Sequence, residues 1–133
     1  MKEYSKVTPE IVAELRAAIG ERNVVYEDRE ALENYAYDTA GRIFAHGPEA
    51  VVKPERTEHV SAVMRVASKY RIPVTPRAAG SGIAGAAIPV CGGIVLSIEK
   101  MNRILEIDPV NRVAVVEPGV VTNDLCKAVQ ERG

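Results

Sequence analysis

Hydrophobic and polar positions alternate along this chain in short bursts, first at helical and then at strand spacing. Ile11, Val12, Leu15 and Ile19 recur at helical intervals. Thr8-Pro9-Glu10 precedes them as a hydroxyl cap, a first-turn proline and an acid, and Gly20 can end the helix. Residues 23–26 read as a short extended piece. Asp28 caps a second short helix carrying Ala31, Leu32 and Tyr35. From Asp38 to Pro48 the pattern lapses, and Gly41, Gly47 and Pro48 mark a loop. Ala50 to Lys53, stopped by Pro54, predicts a buried strand. Thr57 is expected to cap a helix that turns Val60, Val63, Met64 and Ala67 inward and runs to about Tyr70, where Pro73 bars continuation.

A second strand is expected over Pro73 to Thr75. Strand, helix and strand make a right-handed crossover by default. The residues after it leave the carboxyl end of a parallel strand, where open α/β sheets usually hold ligands. Gly93 to Ile98 predicts a third strand. Arg103–Asp108 and Arg112–Glu117, joined by Pro109-Val110-Asn111, predict an antiparallel hairpin. Thr122 is expected to cap a last helix with Leu125, Ala128 and Val129 inward, and Gly133 falls where a helix would end. The reading is α+β: residues 1–48 form a helical lead-in, and residues 49–133 form one unit with a small parallel sheet, a βαβ unit, a hairpin and flanking helices.

Composition narrows the classes. The 133 residues suffice for one domain, 47% are apolar, and the net charge is −1. A near-neutral chain without a basic patch is a poor nucleic-acid binder. No apolar stretch reaches bilayer length, and the first five residues lack the apolar core of a signal peptide; the cytoplasm is the expected location. Cys91 and Cys126 follow no ligand spacing and are expected to be reduced, Cys91 as a buried structural thiol. His46, in a loop, and His59, expected to be solvated in a first helical turn, have no partners for a metal site. Glu99, Glu106, Asp108 and Glu117 read as strand-edge and turn residues rather than a catalytic pair.

Candidate chemistry concentrates between Pro73 and Ser97. An apolar run leads into Arg77, and small residues then follow almost without interruption: Ala78, Ala79, Gly80, Ser81, Gly82, Ala84, Gly85, Ala86 and Ala87. Side chains this small leave the main chain as the group on offer. Turn amides converge on anions as a nest, and glycine lets a ligand approach the backbone closely. The residues alone therefore point to a loop that holds a diphosphate by its amides; the plain alternative is a tight connection that needs small residues. Gly80, Gly82 and Gly85 match the dinucleotide fingerprint, and Glu106 stands at a suitable distance. That fingerprint requires a helix opening in the loop, yet Pro89 and Gly92-Gly93 leave no room for one of ordinary length. A Walker A loop is excluded because no Lys followed by Ser or Thr ends the glycine run. Arg77 either adds a positive field or pairs with an acid of its own fold.

Pro76 to Gly82, with Gly85, Pro89 and Gly92-Gly93-Ile94-Val95-Leu96, resembles the diphosphate loop of the FAD-linked oxidases of the vanillyl-alcohol-oxidase type. Ala50 to Pro54 with Thr57-Glu58-His59-Val60, Met101-Asn102-Arg103-Ile104, and Val116-Glu117-Pro118-Gly119-Val120 fit the same pattern, from about Tyr35 onward. The resemblance is greatest to the glycolate oxidase flavin subunit and to D-lactate dehydrogenases. It implies a partial PCMH-type FAD-binding fold, with FAD held by Pro76, Arg77, Ala78, Ala79, Gly80, Ser81, Gly82 and Gly85. A second flavin-contacting turn falls at Pro118, Gly119 and Val120, where a plain strand-to-helix turn is the alternative.

Departures qualify what is implied. The family usually has glycine at Ala78 or Ala79 and a glycine pair at Gly85-Ala86. Either these alanines keep negative φ or cofactor binding is weakened, since a left-handed alanine costs roughly 1–2 kcal/mol. Some covalent members carry histidine where Ser81 stands, so non-covalent FAD is implied. The family's later FAD contacts and substrate domain have no counterpart here. No catalytic residue is therefore named, and the chain reads as an N-terminal fragment without turnover that holds FAD weakly or not at all. The implied parent is a 2-hydroxyacid dehydrogenase or oxidase with a lactate- or glycolate-like substrate and an electron-transfer or completing subunit. Two other readings stay open: a non-catalytic nucleotide- or partner-binding module completed by another chain, and an NAD-binding domain.

Overall fold

The computed structural model describes residues 4–132. Helix α1 (Pro9–Ile19) starts at Thr8, whose side chain accepts the Ile11 amide, and buries Ile11, Val12, Leu15 and Ile19. Strand β1 (Val24–Tyr26) and helix α2 (Arg29–Glu33) follow, the helix capped by Asp28 on the Ala31 amide. Strand β2 (Ala50–Val52), helix α3 (Thr57–Tyr70), strand β3 (Val74–Arg77) and strand β4 (Ile94–Ser97) form the central unit. The hairpin β5 (Ile104–Asp108) and β6 (Val113–Val116) and helix α4 (Thr122–Gln130) complete the described residues.

The main sheet runs β1-β2-β4-β3. β4 lies parallel between β2 and β3, and β1 pairs antiparallel with β2. The crossover through α3 therefore steps over a strand that comes later in the chain. Ala50, Val51, Val52, Ile94 and Val95 are all fully buried, as continuous apolar runs are in a parallel sheet covered on both faces. By strand alternation Ala50, Val52, Ile94 and Leu96 share one face. They join one apolar core with the buried residues of α1 and with Val63, Val66 and Ala67 of α3. β3 extends through Pro76, which has no amide hydrogen to give a ladder; an edge strand tolerates that.

Several expectations are corrected. Thr57 and Thr122 are the first helical residues rather than caps; Arg56 and Val121 stand at the cap positions and use no side-chain bond. At α3, the His59 side chain supplies a different anchor, with Nδ1 accepting the Glu55 amide at 3.3 Å. His59 is accordingly buried rather than solvated, because positions 59, 63, 66 and 67 share the inward face. Met64 is rotated off that face and is exposed. Cys91 is exposed in the turn that also exposes Val90. Leu125 and Ala128 are only half-buried and Val129 is exposed, because α4 leaves an open groove of about 430 Å³ against the hairpin. Glu117 stands directly after β6, at the start of a turn as expected, and is buried there. The helix end expected at Gly133 lies outside the described residues.

Candidate functional site: a backbone-lined cleft

The loop after β3 must travel the length of the sheet, because β3 and β4 are parallel and share an end. Its first residues form one wall of a cleft of about 680 Å³. Pro76, Arg77, Ala78, Ala79, Gly80, Ser81 and Gly82 line this wall, with Ala84, Ala86 and Ala87 farther along. The opposite wall is Pro118, Gly119 and Val120, followed by Val121, Thr122 and Asn123 at the start of α4. Ten of the eleven cofactor-contact candidates from the sequence thus meet across one cleft. Gly85 does not line it; it lies farther along the loop, where its carbonyl accepts the Ile88 amide at 3.1 Å.

The main-chain donors on both walls are open. Among the described residues, the amides from Ala78 to Gly82 donate to no protein acceptor, nor do those of Thr122 and Asn123. The first amides of a helix have no intrahelical acceptor, and α4 has no capping side chain to take their place. Two sets of free N–H groups, one from a turn and one from a helix start, are what an anion needs.

Neighbouring groups hold this geometry. The Gly80 carbonyl accepts the Thr39 amide at 3.2 Å, with the Thr39 hydroxyl at 3.4 Å. Gly80 adopts φ +68°, while Ala78, Ala79 and Ala86 avoid the left-handed region. Alanine at the family's glycine positions therefore brings no left-handed strain. Arg77 pairs with no acid among the described residues. Its guanidinium donates to the Tyr37 carbonyl at 2.7 Å and to the Asn34 carbonyl at 3.5 Å, and it lies 5.6 Å from the Tyr35 ring centroid. Its charge stays at the cleft wall, uncancelled by a carboxylate.

On the facing wall Gly119 sits against the turn before β5, its amide donating to the Met101 carbonyl at 2.8 Å. Two residues earlier, Glu117 accepts from the Arg103 amide at 2.8 Å and from its guanidinium at 3.1 and 2.7 Å. The guanidinium bonds first, then the amide, hold the Glu117 carboxyl below its ordinary range. This lock closes the base of the hairpin and aims the chain into the Pro118–Val120 turn. A smaller recess of about 340 Å³ shares Arg77, Ala78, Ala79, Gly119 and Val121 with the main cleft. Its Glu99 accepts from Tyr35 at 3.0 Å and Ser97 at 2.9 Å and pairs with Lys53 at 2.8 Å. Burial pushes the Glu99 carboxyl up, but these three partners outweigh it and the net direction is down.

Sequence reasoning missed three groups here: Asp38 on the cleft, Thr39 behind Gly80, and the Arg103–Glu117 lock. Asp38-Thr39 followed by Ala40-Gly41 carries a turn signal, but nothing in that signal says which loop it braces.

The fold is that of a flavin-nucleotide-binding module. Residues 48–133 match the family model described as an FAD binding domain, and the chain belongs to that family, whose cofactor is FAD. It is 39% identical over 99 residues to glycolate oxidase subunit GlcD of Bacillus subtilis, covering 74% of this chain and 21% of that protein. It is 34% identical over 131 residues to a D-lactate dehydrogenase of Anaerostipes hadrus, covering 98% of this chain and 27% of that one. A crystal structure of p-cresol methylhydroxylase with substrate bound superposes with a TM-score of 0.82 at 32% identity, over 95% of this chain and 26% of that one. The fold is thus that of PCMH-type FAD-binding domains. The chain spans about a quarter of the length of the curated relatives it matches. Among the described residues, no helix is long and apolar enough to cross a membrane, and no group of three His, Cys, Asp or Glu is placed to hold a metal ion.

Proposed function

We propose that this chain is the N-terminal FAD-binding portion of a flavin-dependent 2-hydroxyacid dehydrogenase or oxidase, with a lactate- or glycolate-type substrate. Residues 49–133 would be the first part of the cofactor domain and residues 1–48 its lead-in. The single observation that carries this is the pair of open donor sets facing each other across the cleft. Amides of the Ala78–Gly82 turn and of the α4 start would grip the diphosphate, each bond to a charged oxygen contributing about 1.5–3 kcal/mol. Arg77 adds positive field without offering an acid-neutralised pair. Small side chains from Ala78 to Ala87 allow the close approach, and Ser81 offers no imidazole, so the cofactor would be held non-covalently.

When bound, FAD would supply a two-electron acceptor for oxidation of a substrate CH–OH group. Placement of that cofactor is the share of the chemistry we assign to these residues; we assign none of them proton transfer. A completing or electron-transfer subunit and a cytoplasmic location belong to the same proposal.

Titration of the purified chain with FAD, followed by flavin fluorescence, tests it. Weak saturable binding is expected, competed by inorganic pyrophosphate and reversed by acid precipitation, with no hydroxyacid-driven dye reduction. Binding of NAD as tight as FAD, or indifference to pyrophosphate, would refute the assignment of the cleft.

A further inference from the structure

Asp38 is one of the few buried charged residues, 5% exposed, and it lines the cleft beside Gly80 and Ser81. One carboxyl oxygen is accounted for: Oδ1 accepts the Ala40 amide at 2.9 Å. The other, Oδ2, is buried and has no hydrogen-bond partner. A buried carboxylate oxygen left unpaired is costly, and native structures rarely keep one without a use. The segment that carries it is not slack. Tyr37, one residue before, accepts from Arg77, and Thr39, one residue after, donates to Gly80. Asp38 is therefore held on the same frame as the diphosphate loop.

The partner of Oδ2 must be a donor that the protein does not provide. It is not a phosphate oxygen, since two acceptors of like charge repel. It is not a metal cluster, since no grouping of His, Cys, Asp or Glu suited to one exists among the described residues. A ligand whose diphosphate rests on the Ala78–Gly82 amides carries sugar hydroxyls a few bonds away on either side. We propose that Oδ2 of Asp38 accepts a hydrogen bond from a hydroxyl of the ribityl chain or ribose that flanks the diphosphate of the bound flavin nucleotide. This rests on the FAD reading of the cleft and adds a side-chain contact to a site otherwise built from main chain. Presenting Oδ2 calls on the terminal torsion of the aspartate, which is soft.

The test compares the unmodified chain with Asp38→Ala and Asp38→Asn, titrated with FAD, FMN, ADP and inorganic pyrophosphate. Asp38→Ala should weaken FAD about tenfold or more, the size of one bond to a charged acceptor. Asp38→Asn can keep the Ala40 turn and leaves a neutral partner, so its loss should be smaller. Pyrophosphate, which has no hydroxyl to donate from a sugar, should bind both variants as well as the unmodified chain or more tightly, since a like charge is gone. Loss on FMN alone places the hydroxyl on the ribityl chain, and loss on ADP alone places it on the ribose. FAD affinity within twofold in both variants, or an equal loss for pyrophosphate, overturns the role of Asp38. If Asp38→Ala does not fold, Asp38→Asn decides by the same criterion. Failure of the unmodified chain to bind either FAD or pyrophosphate overturns the cleft reading itself, and the Asp38 proposal with it.

Discussion

Replacing Gly119 by alanine probes the wall of the cleft that has no flexible part. A Cβ added at this position would meet the Ile98 carbonyl oxygen at 2.1 Å and the Met101 carbonyl oxygen at 2.8 Å. Both obstacles are backbone, so no side chain can swing aside. Non-bonded carbon contacts settle near about 3.5 Å, so the turn would have to retreat by more than about 1 Å. Overpacking of this kind costs about 1–3 kcal/mol. The retreat also strains the 2.8 Å bond from the Gly119 amide to Met101, a net contribution of about 1 kcal/mol. We expect Gly119→Ala to lose about 2–4 kcal/mol, read as a lower urea midpoint at unchanged slope. The same retreat carries Val120 and the start of α4 away from the Ala78–Gly82 wall, so FAD affinity should fall at least tenfold. A variant within about 0.5 kcal/mol of the unmodified chain, binding FAD equally well, would show that the close approach does not set the width of the cleft.

The loop glycines should separate. Gly82→Ala meets nothing within 4 Å and should leave stability within about 0.5 kcal/mol. Gly80→Ala must hold φ near +68° and displace the Arg77 guanidinium, whose Nη2 would lie 2.2 Å from the new Cβ, and should cost at least about 1–2 kcal/mol; equal urea midpoints for the two variants would refute this. The Arg103–Glu117 lock predicts a pH effect. The Glu117 carboxyl is depressed in the folded chain, so its stabilisation is complete above the ordinary carboxylate range and is lost as pH falls through the folded pKa. Glu117→Gln should therefore be less stable than the unmodified chain at neutral pH, with the gap closing in acid; a gap constant with pH would contradict the ion pair.

The main sheet was legible because its two central strands, β2 and β4, are buried apolar runs, and prolines and glycines bound the rest. Arg77 to Gly82 was legible because small residues between two strands leave only main chain on offer. Side-chain tethers were not. Thr57 and Thr122 carry the residue type of a cap, but each helix begins on that residue, and a one-residue shift turns a cap into a first turn. His59 looked solvated from its place in the first turn, yet the face it shares with Val63 and Val66 points into the core. Met64 failed for the converse reason. Thr39 bonds a residue 41 positions away and Glu117 one 14 positions away, and Asp38 shares its cleft with residues as distant in sequence as Gly80; no local pattern reports such neighbours.

The glycine spacing that resembles a dinucleotide fold misleads about where the second set of donors comes from. In that fold the helix opens in the glycine loop itself and supplies amides from the same stretch of chain. Here Pro89 and the tight turns after it prevent that, and the loop returns to β4 instead. The helix start that faces the loop belongs to α4, some forty residues later in sequence, delivered by the hairpin. The separation between the two donor sets is then a tertiary distance, set on one side by Thr39 and Arg77 and on the other by Gly119 and the Arg103–Glu117 lock. That is why a substitution at the base of the hairpin should register in flavin affinity, although it touches neither the loop nor the ligand.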